Sequence, residues 1–191
     1  MADDLYATLN TSAGPITIKL FENHAPRTVE NFVGLAEGTR EWTDPRTGKT
    51  EAKKAYDGTV FHRVIKGFMI QGGDPTGTGI GDLGFRFADE FHPDLSYNRP
   101  YLLGMANEGP DSNQSQFFVT VRPTRWLNKR HAIFGEVADE ASRKVVSAIN
   151  KTRTDARDRP VESIVIHSVT IDRRSAGLTQ QPVASQPEAR C

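Results

Sequence analysis

The first part of the chain alternates apolar and polar residues with a period of two. Leu5, Ala7 and Leu9 are separated by polar or amphipathic residues, and the alternation resumes over 16–20 after Gly14-Pro15. A period of two places successive side chains on opposite faces of a strand, and Gly-Pro marks a turn. The pattern therefore predicts a β-hairpin at the start of the chain.

Two segments instead have apolar residues spaced as on one face of a helix, 26–37 and 139–150. In the first, Val29 and Phe32 are three residues apart, Pro26 suits the first helical turn, and Gly38 is placed to end the helix. We expect both segments to be amphipathic helices.

The middle of the chain consists of short apolar runs separated by Gly, Pro, Asp and Asn. The runs are 59–65, 67–71, 101–106, 116–121 and 131–137. Few helical patterns lie between them, which favours an antiparallel sheet or barrel over βαβ units. The last run, 161–171, is apolar on both sides in its middle, so we expect a central or barrel-closing strand.

These patterns predict a single domain over 1–172. Residues 39–55 are charged and rich in turn residues, and we interpret them as a surface insertion loop, with or without a role of its own. Residues 173–191 are polar, contain proline and show no period, so we predict a disordered C-terminal tail.

Composition and charge exclude several classes of protein. The 24 basic and 24 acidic residues cancel, so no overall basic field favours nucleic acid. No stretch approaches the roughly 18 apolar residues that span a membrane. The single cysteine, Cys191, excludes an intrachain disulfide. The acidic start of the chain is unlike a signal peptide, so we expect a cytoplasmic protein.

Three of the runs have one mainly apolar side and one mixed side. The mixed sides carry Phe61, Arg63 and Ile65 in the first run, Met69 and Gln71 in the second, and Gln116, Phe118 and Thr120 in the third. If these sides converge, they form an apolar cleft with fixed hydrogen-bond donors, as in a ligand pocket. The alternative is that they are the solvent-facing side of an antiparallel sheet.

Several familiar motifs are absent or fail their structural test. The glycines of Gly79-x-Gly81-x-x-Gly84 match a dinucleotide fingerprint, but Pro93 interrupts the helix that should follow. The five histidines show no metal-ligand spacing, and no nucleophile-elbow or zinc-protease motif occurs. The basic loop 122–130 is too short to predict nucleic-acid binding in a neutral chain. We expect no metal, no cofactor and no covalent, hydrolytic or redox catalysis.

Longer motifs resemble the cyclophilins, which are peptidyl-prolyl cis–trans isomerases. The segments that carry the resemblance are 61–65, 67–74, 105–107, 115–118 and 126–131, and the similarity runs from about residue 5 to 172. The chain is most similar to the single-domain cytoplasmic cyclophilins of actinobacteria. The resemblance implies a mainly β fold, a closed eight-stranded antiparallel barrel capped by two α-helices.

The resemblance also implies an activity and a site. Arg63 matches the catalytic arginine, which hydrogen-bonds the prolyl nitrogen. The substrate-binding positions implied are Phe68, Met69, Gln71, Gly77, Thr78, Ala106, Asn107, Glu108, Gln116, Phe118, Trp126, Leu127 and His131. The implied partners are proline-containing peptides and folding polypeptides, with cyclosporin as an inhibitor that involves Trp126. We expect a monomer; the alternative function is a proline-peptide binding or chaperone module with incidental isomerase activity.

Three positions depart from the usual cyclophilin pattern: Lys66, Glu108 and Gln114. Glu108, together with Asp111, places carboxylates beside the implied substrate groove. We expect a weak preference for peptides with Lys or Arg before the X–Pro unit.

Overall fold

The computed structural model describes residues 3–175, which form eleven strands and two α-helices. The strands are β1 (Asp4–Thr11), β2 (Gly14–Leu20), β3 (Glu41–Thr43), β4 (Thr50–Ala52), β5 (Thr59–Val60), β6 (Arg63–Ile65), β7 (Met69–Gly72), β8 (Leu102–Met105), β9 (Phe117–Thr120), β10 (Ile133–Val137) and β11 (Val165–Arg174). The helices are α1 (Pro26–Glu37) and α2 (Glu140–Asn150). None of the helices in this range combines the length and apolar character needed to cross a membrane.

Nine strands form one antiparallel sheet in the order β5-β11-β1-β2-β10-β8-β9-β7-β6. The edge strands β5 and β6 are separated in sequence only by Phe61 and His62. The sheet is therefore curled, so that its two edges lie close to each other. The predicted mainly β, antiparallel architecture with two helices is confirmed. The predicted closed barrel of eight strands differs in detail, because among residues 3–175 no hydrogen-bonded ladder joins β5 to β6.

The break between β5 and β6 also interrupts the alternation predicted for 59–65. Phe61 and Val64 both lie in the main core, and each residue is only 1% exposed, whereas Arg63 is exposed. The prediction that Phe61 shares a face with Arg63 is therefore wrong. The chain leaves one strand and enters another at 61–62, so the strand period does not carry across these two residues.

Both helices have the predicted positions, and local capping explains their ends. α1 ends at Gly38, whose φ of 82° is left-handed and suits glycine. α2 begins after Asp139, whose carboxylate accepts a hydrogen bond from the Ser142 amide at 2.7 Å. The Ser142 hydroxyl in turn accepts from the Thr17 amide at 2.8 Å and joins α2 to β2.

Residues 39–55 contain more structure than the predicted insertion loop. Strands β3 and β4 pair as a hairpin, and Trp42 is buried with its indole nitrogen donating to the Lys53 carbonyl at 2.8 Å. Buried Asp44 is paired with Arg46 and Lys53 at 2.9 and 3.1 Å. The hydrogen bonds from Arg46 hold the pKa of Asp44 well below its usual range despite its burial.

The last strand is shifted from its predicted bounds. β11 begins at Val165 and ends at Arg174, so residues 173 and 174 pair with β1 instead of belonging to the predicted tail. Arg173 also contacts Glu22 at 3.0 Å. The rest of the predicted disordered tail, including Cys191, lies outside the described residues.

Apolar side chains form two clusters on opposite faces of β7, β8 and β9. The main core lies between the sheet and the helices and includes Ile70, Leu103, Phe117 and Val119. The second cluster is formed by Met69, Tyr97, Leu102, Phe118, Leu127 and Ile133. The alternation predicted for 116–121 is confirmed, because Phe117 and Phe118 belong to different clusters.

Candidate active site

A cavity of about 120 Å³ opens beside the second apolar cluster. We call it the Arg63 cavity. Its lining residues are Arg63, Phe68, Met69, Gln71, Ala106, Asn107, Phe118, Leu127 and His131. All nine were expected from the sequence resemblance, so the fold brings together positions from five separate motifs. The lining includes one histidine and no Cys, Asp or Glu, which does not make a metal ligand set.

The apolar wall of the Arg63 cavity is supported by buried side chains that pack behind it. Phe118 is 4% exposed and is stacked on Tyr97, with ring centroids 6.1 Å apart. The Tyr97 hydroxyl donates to the His131 carbonyl at 3.0 Å, and burial raises the pKa of Tyr97 well above its usual value. A Cβ at Gly104 would overlap the Tyr97 hydroxyl and the Phe118 ring, so glycine allows this packing.

A chain of side-chain hydrogen bonds leads from Arg63 through Gln71 to Gln116, which lines a neighbouring cavity. Arg63 and Gln71 face each other across β6 and β7, and the guanidinium donates to the Gln71 side-chain oxygen at 3.3 Å. Gln71 donates to the Gln116 oxygen at 3.0 Å, and Gln116 donates to the Gly79 carbonyl at 2.9 Å. Each amide is oriented by the next partner, so the Gln71 side-chain oxygen is held facing Arg63. Within residues 3–175 Gln71 is the sole side-chain partner of Arg63, which leaves its other N–H groups to bind a ligand.

The glycine-rich loop beside this chain is organised by one buried carboxylate. Asp74 is 1% exposed and accepts hydrogen bonds from the amides of Thr76, Gly79 and Gly81 at 2.8, 2.7 and 3.1 Å. Burial alone would raise the pKa of Asp74, but these hydrogen bonds outweigh it and lower the pKa. Asp74 therefore stays ionised and holds the loop in one shape.

Gly77 and Thr78 lie in this loop and do not line the Arg63 cavity, although the resemblance implied both. Gly77 has a φ of 69°, and its carbonyl accepts a hydrogen bond from Arg159 at 2.6 Å. The Thr78 hydroxyl lies 2.8 Å from that of Thr76.

The opposite wall is fixed through backbone contacts. Asn107 donates to the Arg130 carbonyl at 2.7 Å and thereby joins the β8–β9 segment to the loop that ends in His131. The His131 Nδ1 lies 2.8 Å from the Met105 carbonyl oxygen, which can only accept, so this nitrogen is the donor. The His131 ring packs edge-on against the Phe118 ring, with ring centroids 5.5 Å apart.

A second cavity of about 100 Å³ adjoins the first and shares Gln71, Ala106 and Asn107 with it. Glu108 and Gln116 are among its other lining residues. The exposed Glu108 carboxylate lies 3.6 Å from the Arg86 guanidinium.

Trp126 lies at the rim and outside the lining of the Arg63 cavity. Its exposed fraction is 52%. Phe68 packs against the indole with ring centroids 5.6 Å apart. The guanidinium carbon of Arg122 lies over the indole face, 5.1 Å from the ring centroid. The indole therefore extends the apolar wall outward.

Sequence reasoning missed Asp74, Tyr97 and His62 as supports of the site. Asp74 is followed by a Gly- and Thr-rich turn, a signal for a carboxylate that caps backbone amides. Tyr97 lies in a segment without strand or helix period, so nothing in the sequence marks its packing. His62 is buried, which lowers its pKa although Asp74 acts in the opposite direction.

Comparisons with known proteins place the chain in a family. Residues 6–171 match the family model described as cyclophilin type peptidyl-prolyl cis-trans isomerase/CLD. Peptidyl-prolyl cis-trans isomerase B of Streptomyces anulatus is 61% identical over 175 residues, which cover 91% of this chain and 100% of that protein. Peptidyl-prolyl cis-trans isomerase A of Mycobacterium tuberculosis is 60% identical over 165 residues, covering 86% and 91%.

A solved structure is also similar in fold. It is a cyclophilin type isomerase of Cryptosporidium parvum, determined in the presence of the dipeptide Ala-Pro. Its sequence is 32% identical, the TM-score is 0.73, and the match covers 87% of this chain and 98% of that one.

Proposed function

The chain belongs to the cyclophilin-type peptidyl-prolyl cis–trans isomerases, and we propose that it rotates X–Pro bonds in the Arg63 cavity with Arg63 as the catalytic group. The observation that carries the proposal is the juxtaposition of an oriented guanidinium with a packed apolar wall. Arg63 is held by the Gln71–Gln116 chain, and Phe118 and Met69 are nearly fully buried on the same side of the sheet.

Rotation of a peptide bond is opposed by delocalisation of the nitrogen lone pair into the carbonyl, with a barrier of about 18–20 kcal/mol. No covalent bond breaks, so the reaction needs no nucleophile, base or cofactor. A hydrogen bond from Arg63 to the prolyl nitrogen draws on that lone pair and favours the pyramidal nitrogen of the twisted state. The bond is stronger in the transition state than in the ground state, which is the condition for catalysis.

One hydrogen bond does not supply the whole effect. An acceleration of about 10⁵-fold corresponds to about 7 kcal/mol, whereas a hydrogen bond to a charged group contributes about 1.5–3 kcal/mol. The remainder comes from holding the proline ring while the preceding carbonyl swings, and from excluding water at the apolar wall. Phe68, Met69, Phe118 and Leu127 have this role in the proposal, with His131 closing one side.

The proposed substrates are proline-containing peptides and folding polypeptides. The Ala-Pro dipeptide used with the Cryptosporidium parvum relative supports this class of ligand. Gln71, Gln116 and the main chain at Ala106 and Asn107 would pair with the peptide backbone along the two adjoining cavities. The monomeric state and the cytoplasmic location expected from the sequence stay predictions.

A proline-peptide binding module is the alternative, and a protease-coupled assay with a proline tetrapeptide separates the two. An isomerase accelerates the cis-to-trans step in proportion to its concentration at substoichiometric amounts. A binding module only slows proteolysis by sequestering the peptide. The oriented guanidinium favours the first result, because a site that only binds a proline ring does not need it.

We predict that Trp126→Ala weakens cyclosporin inhibition about tenfold or more and changes kcat/KM less than threefold. A large exposed aromatic side chain at a rim is typical of a binding hot spot, and Trp126 lies outside the Arg63 cavity. Inhibition constants and kcat/KM are measured on the same preparation. Equal losses in both would show that Trp126 instead supports the cavity wall.

The expected preference for basic peptides needs revision because both carboxylates have partners. Asp111 accepts from the Asp89 amide at 2.9 Å, and Glu108 faces Arg86. An exposed ion pair contributes about 0.2–1 kcal/mol, or about 1.4- to 5-fold in rate. We therefore predict that the wild type discriminates less than about twofold between Lys and Glu before the X–Pro unit.

Arg86→Ala should raise that discrimination toward about fivefold at low salt, since Glu108 then loses its partner, and high salt should remove the gain. Glu108→Gln is the matched control and should abolish the discrimination between the Lys and Glu peptides. The paired peptides are compared by kcat/KM at two salt concentrations. If Arg86→Ala leaves the ratio unchanged, Glu108 does not contact the substrate.

A further inference from the structure

Two histidines and an aspartate that are distant in sequence meet outside the Arg63 cavity. One nitrogen of His24, one nitrogen of His92 and one carboxylate oxygen of Asp94 all lie within 4.8 Å of one another. The two imidazole rings meet edge to face with centroids 4.6 Å apart. The sequence spacing predicted no metal site, because His24 precedes α1 and the other two residues follow β7.

The segments that carry these residues are fastened together by Glu90. Its carboxylate accepts hydrogen bonds from the Arg27 and Thr28 amides at 3.2 and 2.6 Å, in the first turn of α1. It also accepts from the Thr28 hydroxyl at 2.6 Å. His24 lies just before this helix end and His92 just after Glu90, so the contact between the rings is built into the fold.

The arrangement leaves ligand atoms available. His92 Nδ1 accepts from the Asp94 amide at 3.1 Å and lies 3.9 Å from the Asp94 carboxylate, which is too far for a hydrogen bond. Within residues 3–175 no protein group hydrogen-bonds the His24 ring or the second nitrogen of His92. Both histidines are half-buried and Asp94 is exposed, so an ion can reach them from solvent.

We propose that His24, His92 and Asp94 bind one divalent transition-metal ion, with Zn²⁺ as the best fit. Two imidazoles and a carboxylate form a donor set typical of zinc, whereas Ca²⁺ and Mg²⁺ prefer oxygen ligands alone. Bonds of about 2.0–2.1 Å at a tetrahedral ion place ligand atoms about 3.4 Å apart. Small side-chain rotations close the observed spacing, and the fourth position is left for water.

A bound ion would link the turn before α1 to the 92–94 turn. That turn borders a cavity of about 350 Å³ whose lining also includes His131, a residue of the Arg63 cavity. The ion therefore lies on the flank of the active site without occupying it. Binding to the folded state alone raises the melting temperature, by about 5 °C or more at a hundredfold excess over Kd.

The proposal is tested by titrating the full-length chain with ZnCl₂ in a calorimeter, in a Cys191→Ser background so that no thiol contributes. We expect one Zn²⁺ per chain, and at least tenfold weaker binding in both His24→Gln and His92→Gln. His167→Gln is the matched control, since His167 is exposed on β11 and far from the cluster in sequence. It should bind Zn²⁺ like the parent.

Melting curves with Zn²⁺ and with Ca²⁺ complete the test. Zn²⁺ should stabilise the parent and the His167→Gln variant but neither cluster variant, and Ca²⁺ should stabilise none of them. Absence of stoichiometric Zn²⁺ binding would overturn the proposal and leave the ring contact as aromatic packing only. Binding that His24→Gln and His92→Gln do not weaken, or equal stabilisation by Ca²⁺, would overturn it as well.

Discussion

Arg63→Ala is expected to lower kcat/KM for a proline tetrapeptide at least a hundredfold while the protein stays folded. The variant loses the hydrogen bond that is proposed to be stronger with the twisted imide, and a hundredfold loss of rate corresponds to about 2.7 kcal/mol. Arg63 is exposed and makes one side-chain hydrogen bond, to Gln71, so its removal costs little stability. The protease-coupled assay measures the rate, and circular dichroism confirms the fold.

Arg143→Ala is the matched control for this experiment. Arg143 is another exposed arginine, on α2, and lines neither the Arg63 cavity nor its neighbour. It should retain the wild-type kcat/KM. If Arg63→Ala keeps more than a third of the wild-type activity, the role assigned to Arg63 is wrong.

Phe118→Ala is expected to lower both stability and activity. Phe118 is 4% exposed, and truncation of a buried Phe to Ala costs about 3–5 kcal/mol, or a fall in melting temperature of roughly 10 °C for a chain of this size. It also removes the wall against which the proline ring would pack, so kcat/KM should fall about tenfold or more. The melting temperature and kcat/KM are both measured, and kcat/KM is determined at a temperature at which the variant is still folded.

Val119→Ala separates these two effects. Val119 follows Phe118 on β9 but points into the main core on the other face of the sheet. Its truncation should cost about 2 kcal/mol of stability and leave kcat/KM within twofold. If both variants lose activity in parallel with stability, the activity loss of Phe118→Ala would report unfolding and not the cavity wall.

The sequence predicted the elements whose pattern is uninterrupted and local. The first hairpin and both helices have clear periods with matching turn or cap residues, and they form as expected. The alternation over 116–121 also holds, because β9 lies in the middle of the sheet with an apolar cluster on each face. In such a strand the parity of the side chains is set by the backbone alone.

Predictions failed where tertiary structure overrides the period. The run 59–65 reads as one strand, but the chain passes from one edge of the sheet to the other at Phe61 and His62, and this passage has no sequence signature. The hairpin at 39–55 forms around buried Trp42, whose burial cannot be inferred from its charged neighbours.

Of the candidate site, motifs identified the lining of the Arg63 cavity but not its internal connections. The contact of Arg63 with Gln71 follows from the register of β6 on β7, and that of Gln71 with Gln116 joins β7 to the residue just before β9. The His24–His92 contact depends on how Glu90 caps α1. Each is a long-range contact, so only the folded chain reveals it.

The most direct test of catalysis by Arg63 measures peptide binding and X–Pro bond rotation separately in one experiment. NMR exchange spectroscopy of an Ala-Pro tetrapeptide gives the cis–trans exchange rate, and a titration of the same samples gives Kd, for the wild type and Arg63→Ala. We predict that catalysed exchange falls at least a hundredfold in the variant while Kd changes less than about fivefold. Exchange that falls only in proportion to binding, or persists in Arg63→Ala, would contradict it.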